Sequence, residues 1–224
     1  MEIKISASKD LKERIPEFRL GLIIATVFCK PSSAKLLELI DEKVRETQEK
    51  HVLGEINKLD VVASTRDAYK KCGNDPNRYR PSADALLRRI VKGSGIYKIN
   101  NIVDVLNLIS VQSGFSIGGY DLFSIVGDVV LGIGKKDEKY YGIGRGMLNI
   151  NNLPVLRDKT GAFGTPTSDS ERTMITNSTR RILFVFFDFG EHDSLQKYMD
   201  LCSNLLIEHC DAEKLESGVM NFFQ

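Results

Sequence analysis

The sequence has no tryptophan, few cysteines and histidines, and no long apolar run. No stretch approaches the roughly 20 apolar residues that span a bilayer, and the first ten residues lack the apolar core of a signal peptide, so we expect a cytoplasmic protein with no membrane partner. The cysteines form no CxxC pair, which favours buried, reduced thiols over a disulfide framework or a zinc site. The three histidines also lack the spacing of metal ligands. We therefore predict no metal and no cofactor.

The sequence also lacks a large excess of charge of either sign, because 31 basic residues nearly balance 30 acidic ones. This balance does not demand nucleic acid or a membrane surface as partner, so any electrostatic site must be local. There is no GxxxxGK[ST] loop, no HExxH and no nucleophile elbow. The close glycines Gly142, Gly144 and Gly146 lack a strand before them and a helix after them, so they predict a hairpin rather than a dinucleotide site.

The pattern of apolar residues predicts both strands and helices in one domain with a sizeable core. An apolar run at residues 18–28 predicts a strand buried on both faces. Helical spacing predicts a long helix from Ala34 to about Leu59, and a turn-rich loop ending at Pro81 separates two further helices. Other helices are predicted at residues 82–92, 101–113 and 194–210, and short strands between residues 116 and 188. Because strands and helices do not alternate strictly, we predict an α+β protein.

One segment resembles a known family. Residues 99–122, INNIVDVLNLISVQSGFSIGGYDL, combine an Asn-Asn start, a Val-Asp-hydrophobic-x-Asn helix, a glycine-containing turn and an Asp-Leu pair. In this order they resemble the tRNA-editing (central) domain of the phenylalanyl-tRNA synthetase β chain, and further landmarks follow at residues 127–130, 161–164 and 179. The resemblance covers residues 61–190. It implies mixed or antiparallel sheets in a sandwich-like core flanked by helices.

The resemblance also implies how the chain is organised. We expect a single free-standing editing-like domain over residues 1–224, in which residues 1–60 form a scaffold strand and helix and residues 191–224 form a C-terminal covering helix. No synthetase motif for the use of ATP is present, so we do not expect a complete aminoacyl-tRNA ligase.

Asn107 is the first candidate for a site residue. On the predicted helix it lies beside an apolar stripe, at the rim of the core, where its amide can both donate and accept hydrogen bonds. The resemblance implies that Asn107 is a catalytic residue of an editing pocket, and a structural amide on the helix surface is the alternative. Asp121, in the GGYDL turn, either binds substrate in the same pocket or fixes the turn through its own backbone bonds.

The chain departs from the family at three pocket positions. Leu106 stands where the family has a threonine, Gly118 where it has a histidine, and Val185 where a glutamate recognises the hydroxyl of misattached tyrosine. A buried phenol without that carboxylate would lose its partner and its discrimination. We therefore do not expect faithful removal of tyrosine from the phenylalanine tRNA.

A polar loop at residues 161–173, GAFGTPTSDSERT, borders the pocket in the matching part of the family. Its hydroxyls, carboxylates and guanidinium group suit a ligand carboxylate or ribose and an oriented water. We predict Ser170 and Glu171 as catalytic residues. The predicted substrate-binding residues of this loop are Thr167, Ser168, Asp169 and Arg172. A solvated hairpin loop is the alternative.

The distribution of charge is uneven along the chain. Residues 64–92 contain eight basic and three acidic side chains, whereas residues 188–216 contain two basic and eight acidic ones. Guanidinium groups suit RNA phosphates, and a tyrosine among them suits base stacking. The predicted RNA-binding residues are Arg78, Tyr79, Arg80, Arg88 and Arg89. The alternative is a helix end and loop that pair with the acidic C-terminal helix.

Two functions remain open from the sequence. The first is an RNA-associated, editing-type protein, a trans-acting hydrolase of mischarged aminoacyl-tRNA that needs no metal. The second is a non-catalytic module that binds an amino acid or another small metabolite in the same pocket, which the departures at Leu106 and Gly118 favour. The predicted partners are tRNA and an amino-acid-like ligand, with the oligomeric state left open.

Overall fold

The computed structural model describes residues 3–222, so the predicted domain range of 1–224 extends beyond the described residues at both ends. Its helices are α1 (Lys9–Arg14), α2 (Ala34–Lys50), α3 (Asp60–Cys72), α4 (Ser82–Val91), α5 (Asn101–Ser113) and α6 (Ser194–Cys210). Its strands are β1 (Ile5–Ala7), β2 (Arg19–Thr26), β3 (Ser116–Asp121), β4 (Val129–Ile133), β5 (Tyr141–Gly142), β6 (Gly146–Met147), β7 (Pro154–Asp158), β8 (Gly161–Gly164), β9 (Arg181–Asp188) and β10 (Glu213–Asn221).

Most of the strands belong to two four-stranded sheets. In the first sheet, with the order β1-β4-β7-β8, strand β1 runs parallel to β4 and the other neighbours are antiparallel. In the second sheet, with the order β10-β2-β9-β3, all neighbours are antiparallel. Strands β5 and β6 form a separate short hairpin, as the glycine spacing predicts.

The two sheets pack face to face around a shared apolar core. The first sheet contributes Leu131 and Phe163, and the second contributes Leu20, Val185 and Phe187, all of them buried. Removal of these apolar surfaces from water is the main force that holds the sheets together. The predicted α+β fold with a sandwich-like core is confirmed.

Helices α2, α5 and α6 cover the other face of the second sheet. Phe184 and Phe186 of β9 point to this side, where they join Leu36 of α2, Ile109 of α5 and Met199 of α6 in a second apolar cluster. Because side chains alternate along a strand, β9 contributes to both cores. The fold therefore has three layers, with the second sheet in the middle.

Helix α5 begins and ends where the sequence predicts. The side chain of Asn100 accepts a hydrogen bond from the backbone N–H of Val103 at 3.0 Å, which caps the first turn. Gly114 closes the last turn with a φ of 79°, a conformation that favours glycine. The buried amide of Asn101 ties the start of the helix to three backbone groups of neighbouring segments. Helix α5 is thus a fixed support for the residues it carries.

The structure differs from the sequence prediction in three places. Helix α2 ends at Lys50 rather than near Leu59, because the chain turns around Gly54 before a single helical turn at Ile56–Lys58. Strand β2 is only half-buried on the sandwich side, at Leu22 and Ile24. Strand β10, which follows α6, was not predicted at all, and it extends the second sheet by pairing with β2.

Candidate functional site

An apolar cavity of about 320 Å³ opens between α5, α4 and β3. Its floor consists of the buried residues Leu106, Ile117 and Gly119. A Cβ at position 119 would lie 2.5 Å from the end of the Leu106 side chain, so a larger residue there would displace Leu106. The size falls in the range of small-molecule sites, roughly 300–1,000 Å³.

The mouth of the cavity is apolar as well. Ile99, Ile143 and Met174 line it and are 62%, 44% and 38% exposed, respectively. These side chains come from three separate segments: the linker before α5, the β5–β6 hairpin and the loop before β9. Exposed apolar side chains that converge on one opening are typical of a ligand entrance rather than of ordinary surface.

Asn107 faces this cavity from α5, as the sequence predicts for a pocket residue. The side chain is half-buried, and within residues 3–222 its amide makes no hydrogen bond. A half-buried amide without a protein partner can donate to a ligand and accept from it. The other deep polar group, the hydroxyl of Ser110, already donates to the backbone oxygen of Phe115 at 2.8 Å. Asn107 is therefore the free amide of the cavity.

Asp169 supplies the acidic group of the cavity. Its carboxylate accepts a hydrogen bond from the backbone N–H of Gly119 at 3.0 Å, and its backbone oxygen accepts one from Ile143. Burial raises the pKa of Asp169 to about 7, although the Gly119 hydrogen bond and the nearby Tyr120 hydroxyl act in the opposite direction. A carboxyl group with this pKa exchanges its proton readily near neutral pH.

The remaining predicted loop residues lie elsewhere. Ser170, Glu171 and Arg172 line a second cavity of about 320 Å³, with Tyr140 and Tyr141, and not the Asn107 cavity. Within it the hydroxyl of Ser170 accepts from the N–H of Arg172, so it fixes a turn. The structure thus separates the two predicted catalytic residues of this loop from Asn107.

Three further predicted binding residues have structural partners. Arg172 forms an ion pair with Asp158 at 2.9 Å. The hydroxyl of the buried Thr167 lies 2.8 Å from that of Tyr69. The hydroxyl of Ser168 makes only a weak contact of 3.4 Å with the next backbone oxygen, that of Asp169. No contact of these side chains points to the Asn107 cavity in the described part of the chain.

Asp121 fixes a turn rather than facing the cavity. One carboxylate oxygen accepts from the N–H of Phe123 at 3.0 Å, and the other accepts from the hydroxyl of Thr179 at 2.8 Å.

Two of the three positions at which the chain departs from the family point away from the cavity. Val185 is buried in the sandwich core, and Gly118 is its partner across the β3–β9 pair, so both face the first sheet. Of the three departures from the family, only Leu106 lies in the cavity.

The predicted RNA-binding arginines come together in one cleft of about 350 Å³. Arg78, Arg80, Arg88 and Arg89 all line it. Residues that the sequence analysis did not single out join them, namely Lys92, Ser94 and Arg145. The predicted Tyr79 is half-buried and packs against the apolar cluster that contains Tyr69 and Tyr140, with the Arg78 guanidinium 5.4 Å from its ring centre. The cleft is strongly cationic, which suits a polyanion.

The partners of the basic segment argue against the alternative interpretation. Asp84, which is fully buried, accepts from Arg66 at 2.7 Å and from Arg88 at 2.5 Å. Arg78 and Arg80 form no ion pair within residues 3–222, and no ion pair in that range joins the basic segment to α6. The acidic residue Glu208 of α6 pairs with Lys35 instead. The basic segment is thus held by its own buried carboxylate, and its outer arginines face solvent.

The cavity and the cleft share two walls. On α4, Leu86 faces the cavity, whereas the neighbouring Ala85 and Arg89 face the cleft. On the β5–β6 hairpin, Ile143 lines the cavity and Arg145 the cleft. The cavity and the cleft are therefore lined in part by the same two elements.

The cysteines and the metal-ligating side chains give no sign of a further site in the described part of the chain. The cysteines are buried, and burial raises the pKa of Cys72 to about 11, which keeps its thiol protonated. Among residues 3–222, no cluster of three His, Cys, Asp or Glu side chains has the arrangement of a metal site. Across the same residues, no helix has the length and apolar character to cross a membrane.

The B3/4 domain family matches residues 64–210, a segment that holds the cavity and the cleft. The chain belongs to the B3/4 domain family. B3/4 domains are phenylalanyl-tRNA synthetase β-subunit-like, so the predicted kinship is confirmed at the level of the family. The match is to a domain family, and its description names neither editing nor hydrolysis.

A solved structure that is similar to this B3/4 protein is an N-terminal fragment of the phenylalanyl-tRNA synthetase β-subunit from Pyrococcus horikoshii. The two share 11% identity and a TM-score of 0.48 over 98% of this chain. This chain spans 50% of the length of that fragment. No curated protein sequence matches the chain.

Proposed function

We propose that this B3/4 protein binds the aminoacylated 3′ end of a tRNA and hydrolyses its ester. The observation that carries the proposal is the shared wall between an apolar cavity and a cationic cleft. An aminoacyl-tRNA carries its amino acid as an ester on the terminal ribose, and the backbone phosphates follow that nucleoside. Helix α4 and the β5–β6 hairpin separate groups that suit these two parts of the same molecule.

The lining of the cavity favours aliphatic and thioether side chains of the amino acid. Leu86, Leu106 and Ile117 offer apolar contacts, which contribute roughly 25 cal/mol for each Å² removed from water.

Asn107 and Asp169 supply the groups that ester hydrolysis needs. Asp169 takes a proton from a water molecule as that water attacks the ester carbonyl carbon. The carbonyl oxygen becomes an oxyanion, and the amide N–H of Asn107 donates to it. The carbon–oxygen bond to the ribose then breaks, and the ribose oxygen receives the proton from Asp169. The products are the free amino acid and the tRNA with its 3′ hydroxyl.

The cleft supplies the affinity for RNA. Arg78 and Arg80 have no ion pair within the described residues, so they are free to meet phosphates. Near the cleft, the Arg89 guanidinium lies 3.8 Å above the ring of Tyr97, which is 58% exposed. A stacked arginine–tyrosine pair is a surface on which a nucleobase can stack. Tyr97 adds a second such pair to the predicted Tyr79, whose ring centre lies 5.4 Å from the Arg78 guanidinium.

The test is deacylation of a panel of correctly and incorrectly charged tRNAs by the purified protein. We expect Asn107→Ala and Asp169→Asn to lower turnover at least 100-fold, on the order of a lost oxyanion donor or general base. The matched control is Glu171→Gln, which changes a carboxylate of the second cavity and should leave turnover intact. Loss of turnover in Glu171→Gln but not in Asp169→Asn would move the reaction to the other cavity.

Binding to RNA needs a separate test. Arg80→Ala should weaken tRNA binding and reduce the slope of log affinity against log salt by roughly 0.7–0.9, the share of one phosphate contact. Lys9→Ala, which removes an exposed cation from α1, is the control. Binding of free apolar amino acids with no turnover of any charged tRNA would instead support the non-catalytic module.

A further inference from the structure

The hydroxyl of Tyr120 occupies an unusual place in the sandwich core. The side chain is fully buried, and its oxygen lies between two glycines of different sheets. A Cβ at Gly118 would lie 2.0 Å from this oxygen, and a Cβ at Gly164 would lie 2.1 Å from it. No side chain other than hydrogen fits at either position while the hydroxyl stays there.

This hydroxyl has no hydrogen bond of good geometry within residues 3–222. A phenol that is buried without a partner costs free energy, so such groups generally have a partner nearby. The tyrosines of the adjacent cluster illustrate the rule, because Tyr140 donates to the backbone oxygen of Ser168 at 2.6 Å and Tyr69 lies 2.8 Å from Thr167. Tyr120 is the exception among these three.

Asp169 contacts the two segments that enclose the Tyr120 hydroxyl. Its backbone forms a β-bridge with Gly164, one of the two glycines that enclose the hydroxyl. Its carboxylate accepts from the N–H of Gly119, which lies between Gly118 and Tyr120 in the chain. The carboxylate and the hydroxyl are therefore held against the same edge of β3, one facing the cavity and the other facing the core.

We infer that Tyr120 is a positioning residue, which donates its hydroxyl hydrogen to the carboxylate of Asp169 and directs that carboxylate into the cavity. The N–H of Gly119 holds one carboxylate oxygen, and the phenol supplies a second donor from behind. A carboxylate held by two donors keeps a lone pair for the attacking water. The role of the pair in hydrolysis rests on the proposed function, whereas the pair itself does not.

The ionisation of the two groups agrees with this arrangement. Burial, and after it the charge of Asp169 and the Tyr140 phenol, raises the pKa of Tyr120 well above its ordinary value, so the phenol remains a donor at every pH of interest. Its hydroxyl opposes the effect of burial on Asp169. The nearest cation of the loop, Arg172, is engaged by Asp158. Tyr120 is thus the side chain that favours the charged form of Asp169.

The inference also explains why position 118 is a glycine, because the glycine makes room for the Tyr120 hydroxyl.

The test is the pKa of Asp169, measured by carboxyl-carbon NMR titration in the wild type and in Tyr120→Phe. The variant keeps the ring and loses the donor, so we expect the pKa to rise by about one pH unit, the effect of a lost hydrogen bond to a charged group. Tyr69→Phe, which removes another buried hydroxyl, is the control and should leave the value unchanged. Gly118→Ala should shift the pKa in the same direction as Tyr120→Phe, because its Cβ displaces the hydroxyl.

An unchanged Asp169 pKa in Tyr120→Phe would overturn the inference. The pH dependence of deacylation provides the second readout, and its acid limb should move to higher pH together with the NMR value. If the NMR value shifts but no charged tRNA is hydrolysed, the pair stands and the proposed hydrolysis fails. A role in packing alone would lower the stability of Tyr120→Phe without moving either titration.

Discussion

Replacement of Asp169 by asparagine tests the electrostatics of the cavity through stability alone. Asparagine has the same shape and can still accept from the N–H of Gly119, but it cannot ionise. In the wild type, burial raises the pKa of Asp169 from 3.8 to about 7. The folded state therefore holds a proton between these values that the unfolded chain has already released. It follows that this residue makes the wild type less stable as the pH rises from about 4 to about 7.

The magnitude follows from the two pKa values. Each pKa unit corresponds to 1.36 kcal/mol, so above pH 7 the full penalty is roughly 4 kcal/mol. This is an upper value, because the carboxylate borders an open cavity and water there reduces the penalty. We expect Asp169→Asn to be more stable than the wild type by roughly 1–4 kcal/mol at pH 8 and equally stable near pH 4.

Urea denaturation of both proteins at pH 4, 6 and 8 measures this difference. Asp158→Asn is the control with the opposite sign. Burial raises the pKa of Asp158, but the hydrogen bonds from Arg172, Val126 and Thr160 and the charge of Arg172 together hold it below its ordinary value. That variant should be less stable than the wild type at neutral pH, and its deficit should shrink as the pH falls through the folded pKa. A difference between Asp169→Asn and the wild type that does not change with pH would refute the reasoning.

Two further predictions concern the supports of the site. Asp84→Asn should lower the free energy of unfolding by roughly 3–5 kcal/mol in urea denaturation, because it leaves Arg66 buried without its counter-charge; an unchanged midpoint would show that water compensates the arginine. Asn101→Ala should cost roughly 3 kcal/mol, because it removes three hydrogen bonds that the buried Asn101 side chain makes with backbone groups. Thermal melting that matches an exposed control, Asn149→Ala, would contradict this.

The sequence was most informative where local chemistry defines an element. Helix α5 was predicted at residues 101–113 and lies there, because Asn100 caps its start and Gly114 closes its end. Helix α6 was likewise predicted at its observed bounds. Caps and glycines act within a few residues, so their signal is visible without tertiary structure.

Strand β10 was missed because its stability comes from a distant partner. Its residues EKLESGVMN are rich in charge and contain a glycine, which are weak signals for a strand. It is held by β2, which lies near the other end of the chain. The end of α2 was misjudged for a related reason, since apolar residues continue at Leu53 and Ile56 although the helix has ended.

The candidate cavity contains some of the predicted site residues and not others, for reasons of geometry. Asn107 faces a cavity as predicted, but its acidic neighbour is Asp169 rather than Glu171. The loop is strand-like here, since Asp169 and Ser170 form bridges to different partners. Side chains alternate along an extended segment, so neighbours in the sequence face different cavities. The polar composition of a loop does not show which of its side chains face the same cavity.

The order of strands in the second sheet has a consequence for biosynthesis. Strand β2 leaves the ribosome early, but its neighbours are β9, which begins at Arg181, and β10, which begins at Glu213. At a rate of about 5–20 residues per second, β2 waits roughly 10–40 s for its last partner. Proteolysis of ribosome-arrested chains should find residues 19–26 cleavable until β9 has emerged. The apolar β2 segment is thus exposed on the nascent chain until its partners have been made.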